Sequence, residues 1–142
     1  MGILAKRFPE YGVILQIFRG PITRQAWIDY YDGFAADDTD RFITYLDPTA
    51  DLSQLDVASG PELKRVVAGK LRAVYGEKPV VSILAPGSEA QVMYANFWRA
   101  FESAGEEKHP AESVVVADLK AACELLGLPD GAFEALTAAV NS

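Results

Sequence analysis

Few residues in this chain have the types and spacing for chemistry. There is one histidine, His109, and one cysteine, Cys123. His109 stands beside Pro110 in a polar stretch, GEEKHP, while Cys123 lies in a helical pattern, so no metal-ligand spacing or thiolate–imidazole pair joins them. They read as a solvated loop residue and a small core hydrophobe. Asp47, Asp51 and Asp56 share one segment, but they lack the spacing, glycine and terminal glutamate of an EF-hand loop, which leaves them as turn-forming carboxylates. APGSEAQ at 85–91 lacks the second glycine of a nucleophile elbow, so Ser88 is a helix cap. Neither GxxxxGK[ST] nor GxGxxG occurs, which removes the usual signals for nucleotide hydrolysis and hydride transfer. Asp47 ends a strand-like run as a phospho-acceptor would, yet the acidic pair such receivers need at the end of an early strand is replaced here by QIFRG. The chain is expected not to be an enzyme, and to need no cofactor and no metal.

Ser59 is the most suggestive single position. With Glu62 three residues on, it is spaced as a capping box at a helix start. A phosphate there would also be tolerated, because free N–H groups and the helix dipole favour negative charge. The second suggestive group is aromatic. Met93, Phe97, Ala100 and Phe101 form one helical stripe, and Tyr94 and Trp98 flank it, so the apolar surface exceeds the usual third of a helix. Core packing uses the Met93, Phe97, Phe101 stripe. Tyr94, Trp98 and Phe101 remain candidates for a homodimer interface or for a groove holding a small apolar ligand.

These residues must be positioned by a repeating set of elements. Strand-length apolar runs occur at 3–5, 13–18, 42–46, 79–84 and 113–117. Only Pro9–Gly12 separates the first two, too short for a parallel crossover, so they form an antiparallel hairpin. Trp27, Tyr30, Tyr31 and Phe34 fall on one helical face after Thr23, a predicted N-cap, with Ile22 and Trp27 as a hydrophobic staple. That helix should span 24–36. A second spans 60–75 and stops near Gly76; a third follows a capping box of Ser88 and Gln91. Two short helices, one ending at Gly127 and one capped by Asp130, close the chain. The order is β-β-α-β-α-β-α-β-α-α, an α/β fold with a mixed five-stranded sheet and helices on the faces, in a single domain over residues 1–142. PVVSIL and SVVVA are nearly continuous in apolar character, as middle strands are, whereas VILQIF carries a polar Gln16. The connection from Asp47 to Ala58 is long, and long structured loops are disproportionately functional.

Composition narrows the partners. Half the 142 residues are hydrophobic and 23% are charged, a globular balance. The formal charge of −7 disfavours a grip on nucleic acid. The longest apolar runs fall well short of a membrane span, and MGILAKRFPEYG lacks the core of a signal peptide. A lone cysteine fits a reducing compartment, so the expected location is cytoplasmic.

GVILQIFRGPIT at 12–23, FITYLDP at 42–48, DVASGPEL at 56–63, VVSILAP at 80–86 and VVVADLKAACELLGLP at 114–129 together resemble the STAS domain of anti-sigma-factor antagonists, and more closely the bacterial SpoIIAA-like group of small stand-alone proteins. The likeness covers nearly the whole chain, in patterns of apolar and turn residues. It implies a regulatory or protein-interaction module. STAS antagonists carry Asp-Ser-Ser-Gly before the second crossover helix, with one serine phosphorylated by a partner kinase. Asp56-Val57-Ala58-Ser59-Gly60 has one residue extra and lacks the paired serine, so only Ser59 is carried over as a regulatory phosphosite. Some SpoIIAA-like proteins are also similar to lipid-binding CRAL-TRIO folds, which implies the alternative of an apolar-ligand carrier.

Overall fold

The computed structural model describes residues 2–34, 39–55, 60–103 and 111–142. Strand β1 (Gly2–Phe8) turns through Pro9–Gly12 into β2 (Val13–Arg19), and the two pair antiparallel from Gly2↔Arg19 to Phe8↔Val13. Then come α1 (Arg24–Asp32), β3 (Arg41–Leu46), α2 (Gly60–Tyr75), β4 (Val80–Pro86), a single 3-10 turn at Glu89–Gln91, α3 (Val92–Ser103), β5 (Ala111–Val115), α4 (Leu119–Leu125) and α5 (Asp130–Val140). All five expected strands are present. They lie in the order β1-β2-β3-β4-β5, and every pairing after the hairpin is parallel.

This sequential order decides where the helices go. Each parallel strand is laid beside the last in one direction, so right-handed crossovers carry α1, α2 and α3 to the same face. The alternation of strand side chains shows the two sides. Ile14 and Phe18 of β2, with Phe42, Leu46, Val80 and Leu84, pack against Trp27, Tyr31, Leu63, Leu71 and Ala95 of the three crossover helices. Val13, Leu15, Ile17, Ile43 and Ile83 point the other way, onto Leu119, Ala122 and Cys123 of α4 and Leu136, Ala139 and Val140 of α5. Cys123 is a core side chain, and burial pushes its thiol pKa up, with Glu124 adding to the rise.

Local signals account for most helix ends. Thr23 Oγ1 accepts the Ala26 N–H at 3.0 Å, and Ile22 and Trp27 are buried in one cluster, as a capped and stapled start requires. α1 is shorter than the pattern suggests. It stops at the Gly33 cap, although Phe34 stays buried beyond it. At the end of α4, Gly127 takes a φ of +64°, and the Leu128 N–H returns to the Cys123 carbonyl at 3.1 Å.

Other details also differ from the sequence reading. Asp130 is the first residue of α5 and Pro129 is its cap. Asp118 caps α4 instead, its Oδ1 accepting the Ala121 N–H at 2.9 Å. Ser88 makes no side-chain cap bond and the Gln91 side chain turns inward to the Asp47–Leu55 segment, so the expected capping box does not form. The middle strands are also reassigned. β2 is buried from Val13 to Phe18, Gln16 included, whereas the apolar β5 is an edge with Val114 41% exposed. Gln16 tolerates burial because both ends of its amide are bonded, to Tyr30 and to Thr44.

Candidate functional site

The carboxyl ends of the parallel strands carry a network of polar groups. From Asp47 the chain continues the β2–β3 pairing beyond the strands. Asp47 N–H donates to the Phe18 carbonyl at 3.0 Å, Asp51 N–H to Gly20 at 2.9 Å, and Ile22 N–H to Asp51 at 2.9 Å. Ala50 and Leu52 are buried beneath, and the fully enclosed Gln91 donates to the Pro48 and Ala50 carbonyls at 3.0 and 3.1 Å. The described part of the long connection, Asp47–Leu55, is therefore held by hydrogen bonds. Its carboxylates act as turn formers: Asp47 accepts from Thr49, and Asp51 from Ser53 N–H at 2.9 Å. The Ser53 bonds hold the Asp51 carboxyl below its ordinary range. Asp56 lies outside the described residues, as does Ser59. Glu62, in the first turn of α2, accepts two hydrogen bonds from Arg24 at the start of α1, so the two helix starts are tied together at this edge.

Of the aromatic candidates, Tyr94 is half-buried against the cluster around Phe18, Leu46 and Leu52, and its hydroxyl lies 3.5 Å from Asp51 Oδ1. The side chains of Trp98 and Phe101, like that of Phe97, lie outside the described residues. Met93, expected in the core stripe, is 70% exposed. Gln91 and Ala95 take the buried line of this helix start, and Met93, two residues from each, falls on the opposite side.

On the α1–α2 side the sheet carries an internal polar cluster. Thr44 Oγ1 donates to Gln16 Oε1 at 2.9 Å, and Gln16 Nε2 donates to the Tyr30 hydroxyl at 2.8 Å. Burial, the dominant cause, pushes the Tyr30 hydroxyl up to about 12. Beside these groups is a cavity of about 30 Å³, bounded by Tyr31, Phe42, Leu71 and Ser82. It has room for one water molecule.

A larger opening lies on the other face, where sequence reasoning had placed nothing. A crevice of about 350 Å³ runs between Tyr45, Pro86 and Gly87 at the ends of β3 and β4, Asp118–Lys120 at the start of α4, and Phe133, Thr137 and Asn141 of the last helix and its end. Burial raises the Tyr45 hydroxyl pKa, and Asp47 adds to it. Thr137 Oγ1 is enclosed, with no hydrogen-bond partner among the described residues. Arg19 steadies the rim, 3.9 Å from Asp47 Oδ1 and donating to the Val140 and Ser142 carbonyls. These residues are scattered over the chain. The available signals were Pro86–Gly87 at the end of one strand and Asp118 beyond the end of another.

Among the described residues no group of three or more His, Cys, Asp or Glu side chains is placed to hold a metal ion, and no helix is long and apolar enough to cross a membrane. No protein-family model matches the chain, and no curated protein or solved structure is significantly similar to it.

Proposed function

We propose that the chain is a non-enzymatic, cytoplasmic STAS-like module that regulates by binding a protein partner, with Ser59 as the switch. The observation that carries this reading is the built carboxyl edge. The Asp47–Leu55 segment is bonded down onto the end of β2 and onto Gln91 in the turn before α3, and Arg24 and Glu62 join the starts of α1 and α2. A serine one residue before Gly60, the first residue of α2, precedes a helix start on a firm platform. A phosphate added there meets the helix dipole favourably and alters the charge of that surface by roughly −2 at neutral pH. Self-association through the aromatic α3 belongs to the same reading.

The alternative, a carrier of a small apolar ligand beside α3, is favoured by the exposure of Val92 and Met93 at its start. Intact-mass measurement and peptide mapping of protein isolated from its own host separate the two. Phosphate on the Ser59 peptide supports the switch, and copurified lipid supports the carrier. Protein without phosphate on that peptide under every growth condition contradicts the switch.

A further inference from the structure

The crevice beside α4 sits where the topology forces an opening. From β4 the chain leaves through Pro86–Gly87 to α3 on one face, and from the neighbouring β5 it leaves through Asp118 to α4 on the other. Adjacent parallel strands whose continuations diverge leave a gap outside their carboxyl ends, and open α/β sheets bind ligands at such gaps. Its volume of about 350 Å³ falls within the range of small-molecule sites, ~300–1,000 Å³. Gly87 in its wall packs closely onto the end of β3: a β-carbon there would stand 2.5 Å from the Leu46 carbonyl oxygen and 2.7 Å from the Tyr45 hydroxyl.

The lining specifies a chemistry. Asp118 uses Oδ1 to cap α4, and Lys120 makes no hydrogen bond or ion pair among the described residues. Two residues apart on a helix start, these opposite charges do not face each other, so each is available to a ligand. Phe133, 36% exposed, offers a ring from the opposite wall. A bare anion would meet the field of a chain carrying −7, whereas a molecule bearing both charges would not. We propose that the crevice binds a small zwitterion with an apolar side chain, an α-amino acid of leucine or phenylalanine size. Its ammonium lies toward Asp118, its carboxylate toward Lys120 and its side chain against Phe133.

The test is a two-dimensional amide NMR titration of the full, unphosphorylated chain with L-leucine and L-phenylalanine, taken to ~10 mM so that millimolar binding approaches saturation. Saturable shifts at Gly87, Leu119 and Lys120 are expected. 4-Methylpentanoate, which lacks the ammonium, and isopentylamine, which lacks the carboxylate, should bind at least roughly tenfold more weakly. Asp118→Asn, which preserves the cap, and Lys120→Gln should each weaken binding by a similar factor. Absence of saturable shifts with both amino acids overturns the proposal. So does equal binding of the amine or the acid, or unchanged affinity in both variants. The result is independent of the Ser59 reading, since no phosphate or partner takes part.

Discussion

Gly87 lies so close to Tyr45 that a β-carbon built on the glycine would stand 2.7 Å from the tyrosine hydroxyl. The same carbon would be 2.5 Å from the Leu46 carbonyl oxygen, which already accepts the Gly87 N–H at 2.7 Å, and 2.9 Å from Pro48 Cδ. Gly87→Ala should therefore destabilise the fold by ~1–3 kcal/mol, the usual cost of forced overpacking. Adding Tyr45→Phe should recover only part of that loss, because the backbone oxygen remains. Urea unfolding of the two single variants and the double variant measures this. Full recovery in the double variant would show that the hydroxyl alone sets the limit.

The Gln16–Thr44–Tyr30 cluster makes alkaline stability a test of the α1 face. An unfolded tyrosine ionises near 10.0, whereas native Tyr30 is pushed up to about 12 by burial. Above pH 10 the unfolded chain gives up its proton first, so the contribution is complete below pH 10 and is lost as pH rises toward 12. The amount is about 2–3 kcal/mol, from 1.36 kcal/mol per unit. The stability difference between wild type and Tyr30→Phe should shrink by that amount across this window. A constant difference would mean that Tyr30 ionises as an exposed phenol does.

Gln91 holds the Asp47–Leu55 segment through the Pro48 and Ala50 carbonyls. Gln91→Leu, where residue 91 is 3% exposed, strands the Ala50 carbonyl in a buried site at ~1–3 kcal/mol and leaves the partly buried Pro48 carbonyl to solvent. Hydrogen exchange should accelerate first at the amides of Asp47, Ala50 and Asp51, whose bonds form this segment. Uniform acceleration over the whole sheet would instead mean that the segment has no local stability of its own.

Leu136 and Phe133 share α5 but face different surroundings. Leu136 is fully buried among Val13, Leu15, Ile43 and Ile83, and Leu136→Ala should cost ~2–5 kcal/mol. Phe133 lies in the crevice wall at 36% exposure, and Phe133→Ala should cost no more than about 1 kcal/mol. Thermal unfolding of the two variants checks the contrast. A large loss from Phe133→Ala would make its ring part of the core.

The element order was legible because strands and helices differ in period, and because Pro9–Gly12 allowed only a hairpin. Burial across the sheet was less legible. Gln16 made β2 look like a margin, since the partners that satisfy it, Thr44 and Tyr30, are distant in sequence. β5 looked central because Val114, Val115 and Val116 are all apolar, yet the strand ends the sheet. Met93 was misplaced because the inward line of α3 is set by Gln91, a polar residue drawn in by the carbonyls of another loop. The crevice was not legible at all. It joins Tyr45, Gly87, Lys120 and Asn141 because the chain leaving the last strand turns to the face opposite the three crossover helices.

The most direct test of the regulatory account is native mass spectrometry of the protein isolated from its own host, with a Ser59→Ala strain beside it. The account predicts a species heavier by one phosphate in the wild type, its absence in Ser59→Ala, and a protein complex whose population changes with that phosphate. A wild-type chain without phosphate in every growth condition, or a complex indifferent to Ser59→Ala, would contradict it.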